Sequence, residues 1–287
     1  MAELTEWGRS DAEALAELVE AALPAEELTE DELLSCMWDD PDGGVTLATP
    51  GGDAAVALVT RTTGETKTAF YKLVAVRPDV RRRGLGRELL AAAEAWAGEQ
   101  GATTVVVGAS APFYLWPGVD FQALGALCLF EATRYRPVGA EFNMACPTTF
   151  RAPAPDGISV DRVLDDDAVA ATVAFCAAAF PNWVPELERG IESGGGFHAV
   201  DVERGATVGF ACHSVNRLGW IGPMGTDPEA RHRGVGAALL GALCRDIHAT
   251  GRRAAEVAWV GPAGFYANTA GATVSRVFRR LARNLRQ

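Results

Sequence analysis

Two segments of the chain carry a helical stripe of apolar residues built to the same plan: Leu85, Leu89, Ala93 and Trp96 in one, Val235, Leu239, Leu243 and Ile247 in the other. Spacings of three and four residues place each set on one face of a helix, and that face has to pack on something. The pattern predicts helices over 84–100 and 234–250. Apolar runs bounded by turn residues predict strands over 4–7, 45–48, 54–61, 68–77 and 103–107, and again over 159–164, 197–203, 207–214, 219–226 and 255–260. Polar-apolar alternation of helical period fills 11–22 and 30–38, then 168–180 and 184–191. A short helix is predicted near Pro112, and a hairpin from Leu127 through Pro137 to Met144. After Gly271-Ala272 no turn signal remains, so 273–287 predicts one long strand, and the second sheet would then be completed by packing against the first domain.

The same order of elements therefore occurs twice, as sheets covered by helices, which is an α/β chain with layered α+β domains. The prolines at 147, 153 and 155 mark the natural linker. This gives an N-terminal domain over 1–147, a linker over 148–156 and a C-terminal domain over 157–287. A length of 287 residues and 48% hydrophobic content suit two ordinary cores.

Charge narrows the function. A formal net charge of −11 repels a phosphate backbone and excludes a nucleic-acid binder. Residues 1–40 hold thirteen carboxylates and one base, Arg9, whereas Lys72, Arg77, Arg81, Arg82, Arg83 and Arg87 crowd the region around the start of the first striped helix. An anionic ligand belongs near the second region, and the first is either the solvated face of two helices or the border of a site for a cation. No run of about 18 apolar residues and no signal-peptide pattern occur, so a soluble cytoplasmic protein without membrane partners is expected. Six scattered cysteines read as reduced, mostly buried thiols, and the four histidines form no cluster, so no metal site is expected. Nothing in the composition sets the oligomeric state.

Each striped helix opens on the same turn: Arg81-Arg82-Arg83-Gly84-Leu85-Gly86 and, 150 residues later, Arg231-His232-Arg233-Gly234-Val235-Gly236. Bends at Arg77-Pro78-Asp79 and Asp227-Pro228-Glu229 precede them. A strand running through a glycine turn into a helix aims free backbone N–H groups and the positive end of the helix dipole at one point, which attracts phosphate. A Walker loop would need a lysine and a hydroxyl after its last glycine, and a dinucleotide fingerprint a third glycine; neither copy has them.

Val74-Ala75-Val76-Arg77-Pro78 with the first turn, and Met224-Gly225-Thr226-Asp227-Pro228 with the second, resemble the acyl-CoA-binding signature of the GNAT superfamily of N-acetyltransferases in its tandem form. The resemblance implies two domains, each a mixed, mostly antiparallel sheet flanked by helices, and acetyl-CoA as cofactor. It also implies that backbone N–H groups of residues 82–87 (Arg82, Arg83, Gly84, Leu85, Gly86, Arg87) and 232–237 (His232, Arg233, Gly234, Val235, Gly236, Ala237) take the pyrophosphate. Arg81, Arg82 and Arg231 would add charge, and the strands ending at Val76 and Thr226 would hold the pantetheine. In this superfamily the proton donor to the thiolate is often a tyrosine on the helix after the fifth strand. Tyr114, 33 residues beyond Arg81, and Tyr266, 35 beyond Arg231, are the candidates. Neither strand before the turn carries a carboxylate base, so water or a residue such as Glu32 or Asp120 would take the amine proton. Both copies keep arginine, glycines and tyrosine. The glycine-rich run Ile221–Thr226, which would let a ligand approach the backbone, favours the second. The implied reaction is acetyl transfer by direct attack of a small-molecule amine, such as an amino sugar or aminoglycoside, carrying a positive charge. The alternatives are an acyl-CoA-binding sensor without turnover and a protein N-acetyltransferase.

Overall fold

In the computed structural model, which describes residues 4–286, the first half of the chain runs β1 (Thr5–Glu6), α1 (Ala12–Ala22), α2 (Glu30–Trp38), β2 (Val45–Ala48), β3 (Ala54–Thr63), β4 (Thr66–Val76), α3 (Leu85–Glu99), β5 (Thr104–Val107), β6 (Val119–Asp120), α4 (Leu124–Ala132) and β7 (Arg136–Pro147). The second half runs β8 (Ile158–Arg162), α5 (Asp166–Ala179), α6 (Val184–Glu192), β9 (Gly196–Asp201), β10 (Ala206–His213), β11 (Trp220–Thr226), α7 (Val235–Ala249), β12 (Ala254–Val257), α8 (Ala263–Ala270) and β13 (Thr273–Asn284). Several helix starts are written in the sequence. Thr29 and Glu32 form a reciprocal capping box on α2, and the Asp165 carboxylate accepts from the Ala168 amide at the start of α5, each worth about 1 kcal/mol.

The chain forms two units, Met1–Glu141 with Val277–Gln287, and Phe142–Arg276. The division falls inside β7 rather than at the proline-rich 148–156, and the chain end belongs to the first unit instead of to a domain over 157–287. In the first unit the strand order is β1-β2-β3-β4-β5-β13, with β4 and β5 parallel and the other neighbours antiparallel. In the second it is β7-β12-β11-β10-β9-β8, with β11 and β12 the parallel pair. Both are mixed, mostly antiparallel sheets. The predicted hairpin at 127–144 is instead α4 followed by one strand: the apolar run Leu127–Phe130 packs as a helix face, and residues 144–147 pair with β12. No helix forms near Pro112, where the chain is irregular. The tail is the single strand expected.

Alternation along the strands sorts the core of the first unit into two layers. Val56, Leu58 and Tyr71 pack with Leu89, Leu90 and Ala93 of α3, while Ala55, Ala57, Leu73 and Ala75 pack with Leu15, Leu18 and Leu33 of α1 and α2. Tyr71 and Leu73 face opposite layers although two residues apart. The cause is a bulge at Lys72, where Ala57 pairs with Leu73 but Leu58 pairs with Tyr71. β11 carries its bulge at the matching place, since Ala211 pairs with Met224 and His213 with Ile221.

Candidate functional site

The bulges decide where each sheet opens. β4 and β5 pair from Thr68 with Thr104 up to Tyr71 with Val107, and then part. β11 and β12 pair only through Trp220 with Glu256 and Ile221 with Val257 before parting. In the first unit the fork is a cleft open to solvent. Its walls are Tyr71, Lys72, Leu73 and Val74 of β4, Val107 and Gly108 at the end of β5, Trp116, Gly118, Val119 and Asp120 beyond it, Phe130 of α4, and Leu23 and Glu26 after α1.

Beyond each fork the strand runs into the glycine turn, and the two turns have one backbone shape. Arg81 (φ −60, ψ 159) and Arg231 (φ −65, ψ 159) are extended. Arg82 (φ 66) and His232 (φ 60) are left-handed, as are Gly84 (φ 98) and Gly234 (φ 89). Holding a non-glycine residue at positive φ is costly and tends to persist at functional loops. Left-handed residues thus recur at the same two places of each turn, and the N-terminus of a fifteen-residue helix follows in each unit, a geometry suited to an anion. Gly86 and Gly236 bring the helices close, since a Cβ at Gly86 would lie 2.9 Å from Leu129 and one at Gly236 3.3 Å from Phe265.

The arginines do more bracing than the sequence suggests. Arg81 donates from Nε to the Val76 carbonyl (3.0 Å) and from its terminal nitrogen to the Ala22 carbonyl (2.7 Å), and Arg231 donates from Nε to the Thr226 carbonyl (3.3 Å). These bonds pin the strand ends Val74–Val76 and Met224–Thr226 to their turns. Arg82, Arg83, Arg87 and Arg233 are exposed at the turns. Lys72 points elsewhere: its ammonium is buried, paired with Asp40 and bonded to the Cys36 carbonyl. Arg61 joins the same cluster, donating to Asp40 (2.7 and 2.5 Å), Asp42 (2.6 Å) and the carbonyls of Ser110 (3.0 Å) and Ala111 (3.1 Å). The charge cluster thus ties β3 and β4 to the loop that carries Trp116.

The two tyrosines are not equivalent. Tyr266 lies on α8, its ring edge-on to Phe265 at 4.9 Å, and burial, with a smaller contribution from Cys146, pushes its phenol up to about 12. Tyr114 is buried in the irregular loop between β5 and β6 and is on no helix. The residue matching Tyr266 in the first unit is Phe130: the Tyr135 amide bonds back to the Phe130 carbonyl after the left-handed Arg134, as the Ala272 amide bonds to that of Tyr266 after the left-handed Gly271. Sequence distance from the turn paired the wrong residues because the loop before α4 is longer than the one before α8. Glu32 caps α2, whereas Asp120 does line the cleft. The two glycines of β11 differ: a Cβ on Gly225 would lie 2.7 Å from Phe180 and 2.9 Å from Phe210, so that glycine serves packing, whereas Gly222, at φ 134, would meet nothing within 4 Å. Among the described residues, no group of three or more His, Cys, Asp or Glu converges on a metal position, and no helix is long and apolar enough to cross a membrane.

The sequence profile of the acetyltransferase (GNAT) family matches residues 12–114 and 148–268. No curated protein is matched by sequence. Among solved structures, a tandem GNAT protein from the clavulanic acid biosynthesis pathway superposes with a TM-score of 0.76 at 19% identity, covering 99% of this chain and 98% of its own. A GCN5-related N-acetyltransferase from Sphaerobacter thermophilus gives 0.71 at 22% identity, covering 99% and 95%. A glucosamine N-acetyltransferase region in a fungal multi-domain GH3 β-N-acetylglucosaminidase gives 0.76 at 17% identity; the match covers 98% of this chain but 38% of that larger protein.

Proposed function

Because the chain belongs to the GNAT acetyltransferase family, we propose that it moves an acetyl group from acetyl-CoA to the amine of a small molecule, and that the cleft of the first unit is where transfer occurs. The observation that carries this reading is the continuity of fork, bulged strand and glycine turn: the open cleft lies on the same strand that ends at the Arg82–Gly84 turn. The amides of residues 82–87 and the start of α3 suit the pyrophosphate, and the edge of β4 over Leu73–Val76, freed where β5 departs, suits the pantetheine amides. Bound there, acetyl-CoA supplies the activated acyl group. The same backbone shape in the second unit supports a second acyl-CoA site at 232–237.

The lining supports direct attack. The cleft walls include no cysteine, serine, threonine or histidine, and the Lys72 ammonium is held in its buried ion pair, which speaks against an acetyl-enzyme on any of these. Positioning of amine and donor does the work. Glu26, Asp120 and the Trp116 ring favour an acceptor with a positive charge. Thiol release measured with a panel of amines tests the assignment: cationic amines should react fastest and lose their advantage at high salt, whereas binding of acetyl-CoA without turnover of any amine would leave a sensor. In this reading Tyr266→Phe should change turnover by less than about threefold, and a loss on the order of a hundredfold, the scale of one general acid, would move catalysis to the second unit.

A further inference from the structure

Behind the fork of the first unit lies a chain of polar groups in an otherwise apolar layer. The hydroxyls of Tyr71 and Tyr135 are 3.0 Å apart, the Tyr135 hydroxyl donates to Glu94 Oε1 at 2.9 Å, and Arg283 donates to both oxygens of Glu94 at 2.8 Å. Both tyrosine side chains are almost completely buried. The direction of the chain can be deduced. A carboxylate held by a guanidinium only accepts, so the single hydroxyl hydrogen of Tyr135 goes to Glu94. Its oxygen then accepts from Tyr71, whose hydroxyl also lies 3.5 Å from the Leu90 carbonyl; Tyr71 is a residue of the cleft wall, and its oxygen keeps lone pairs that can accept. The array points outward, from cleft to Glu94.

The second unit shows what this layer looks like without such a chain. Ile221 stands where Tyr71 does, each being the last residue paired before the bulge, opposite Val257 and Val107 respectively. Cys244 holds the helix position of Glu94, and Ala272 that of Tyr135. All three are buried and apolar in character. Packing alone is satisfied by Ile, Cys and Ala, so the two phenols and the carboxylate of the first copy are not required by the fold. Burying three polar groups costs free energy unless each is bonded, and here each is.

We propose that Tyr71, Tyr135 and Glu94 form a relay that carries the proton of the attacking amine out of the first unit's cleft. The proposal rests on the acetyltransferase reading above. As the amine nitrogen bonds to the acyl carbon and the carbon–sulfur bond breaks, the N–H proton passes to the Tyr71 oxygen, directly or through one water. The Tyr71 hydroxyl hydrogen passes to Tyr135, and that of Tyr135 to Glu94, which is partly exposed and returns it to solvent. The departing sulfur keeps the bonding electron pair and takes its proton from water. Burial holds both phenols well above the ordinary tyrosine range, so the proton moves by concerted hand-over and no phenolate persists. The charged groups facing the array are Glu94 of α3 and Arg283 of β13.

Tyr135→Phe removes one oxygen from the middle of the array and preserves the ring. The expected result is a fall in kcat of about a hundredfold at neutral pH with KM for acetyl-CoA within about twofold, recovering as pH rises or as imidazole buffer supplies a base. Glu94→Gln should behave alike, and thermal melting of both variants establishes that they fold. A deficit that stays constant with pH and buffer, or no deficit in either variant, overturns the relay while leaving the acetyltransferase assignment standing. Absence of turnover by the unaltered protein with every amine overturns both.

Discussion

Gly84→Asp lowers the affinity of the first unit for acetyl-CoA by about a hundredfold or more, which is about 2.7 kcal/mol, in isothermal titration calorimetry. Gly84 sits at φ 98, where a side chain costs about 1–2 kcal/mol. A Cβ there would meet nothing within 4 Å, so no clash contributes. With aspartate the turn either keeps its shape at that cost in stability or relaxes and withdraws its amides. In both cases a carboxylate stands where the anion should be, and repulsion replaces attraction. Gly84→Ala isolates the conformational part and should lose about tenfold or less. Gly234→Asp should remove binding at the second turn only, its Cβ position being similarly open, with Pro155 nearest at 3.9 Å. Full binding at both sites after either change would mean that the turns do not hold the pyrophosphate.

What the sequence makes legible here is whatever repeats. The stripes of α3 and α7, the turns at 81–86 and 231–236 and the strands before them are local patterns, and local patterns survive without knowledge of the partner. The Leu127–Phe130 run misleads because a short apolar stretch fits strand or helix equally, and only its packing under β4 and β5 decides. The unit boundary was hidden for a related reason: whether residues 142–147 and 277–284 complete one sheet or another depends on pairing between distant segments. Tyr114 and Tyr266 looked equivalent because each follows a phenylalanine at a similar distance from its turn, a coincidence of loop length. The signal that would have found Tyr71 and Glu94 was available at the offset of 150 residues. Comparing the copies position by position sets Tyr71 against Ile221 and Glu94 against Cys244, differences in polarity inside an apolar pattern. Similarity between the copies marks the two proposed acyl-CoA sites, and the divergence marks the chemistry proposed for the first of them.

The largest effect on stability is expected from Asp40→Ala, at about 3–5 kcal/mol, read as a fall in the urea midpoint. Asp40 is fully buried, and its carboxylate is the counter-ion of both Lys72 and Arg61. Its removal leaves the Lys72 ammonium beside the Cys36 carbonyl and the Phe113 ring, whose centre is 5.7 Å away, with the like charge of Arg61 no longer offset by a shared carboxylate. The loss is a large share of the 5–15 kcal/mol that ordinarily holds a domain. Asp40→Asn combined with Lys72→Met deletes that ion pair and should cost less than Asp40→Ala alone, because the Lys72 ammonium is gone and Arg61 keeps Asp42 as its counter-ion. The pH dependence has a defined sign. Burial works to raise the Asp40 carboxyl, but hydrogen bonds from Arg61 and the charge of Lys72 outweigh it and hold the group below its ordinary 3.8. A carboxyl depressed in the folded state contributes stability that is complete above the unfolded value and is lost as pH falls through the folded one, so this contribution disappears below pH 3.8. The Asp40→Asn, Lys72→Met protein should therefore show a shallower loss of stability on acidification in that range. Activity should track the cluster as well, since Lys72 is the bulge residue of β4 and Arg61 holds Ser110 and Ala111 at the root of the loop bearing Trp116. A single Asp40→Ala variant as stable as the parent, with unchanged acid sensitivity, would show that water or a rearranged Asp42 satisfies Lys72, and that the cleft does not depend on the buried charges.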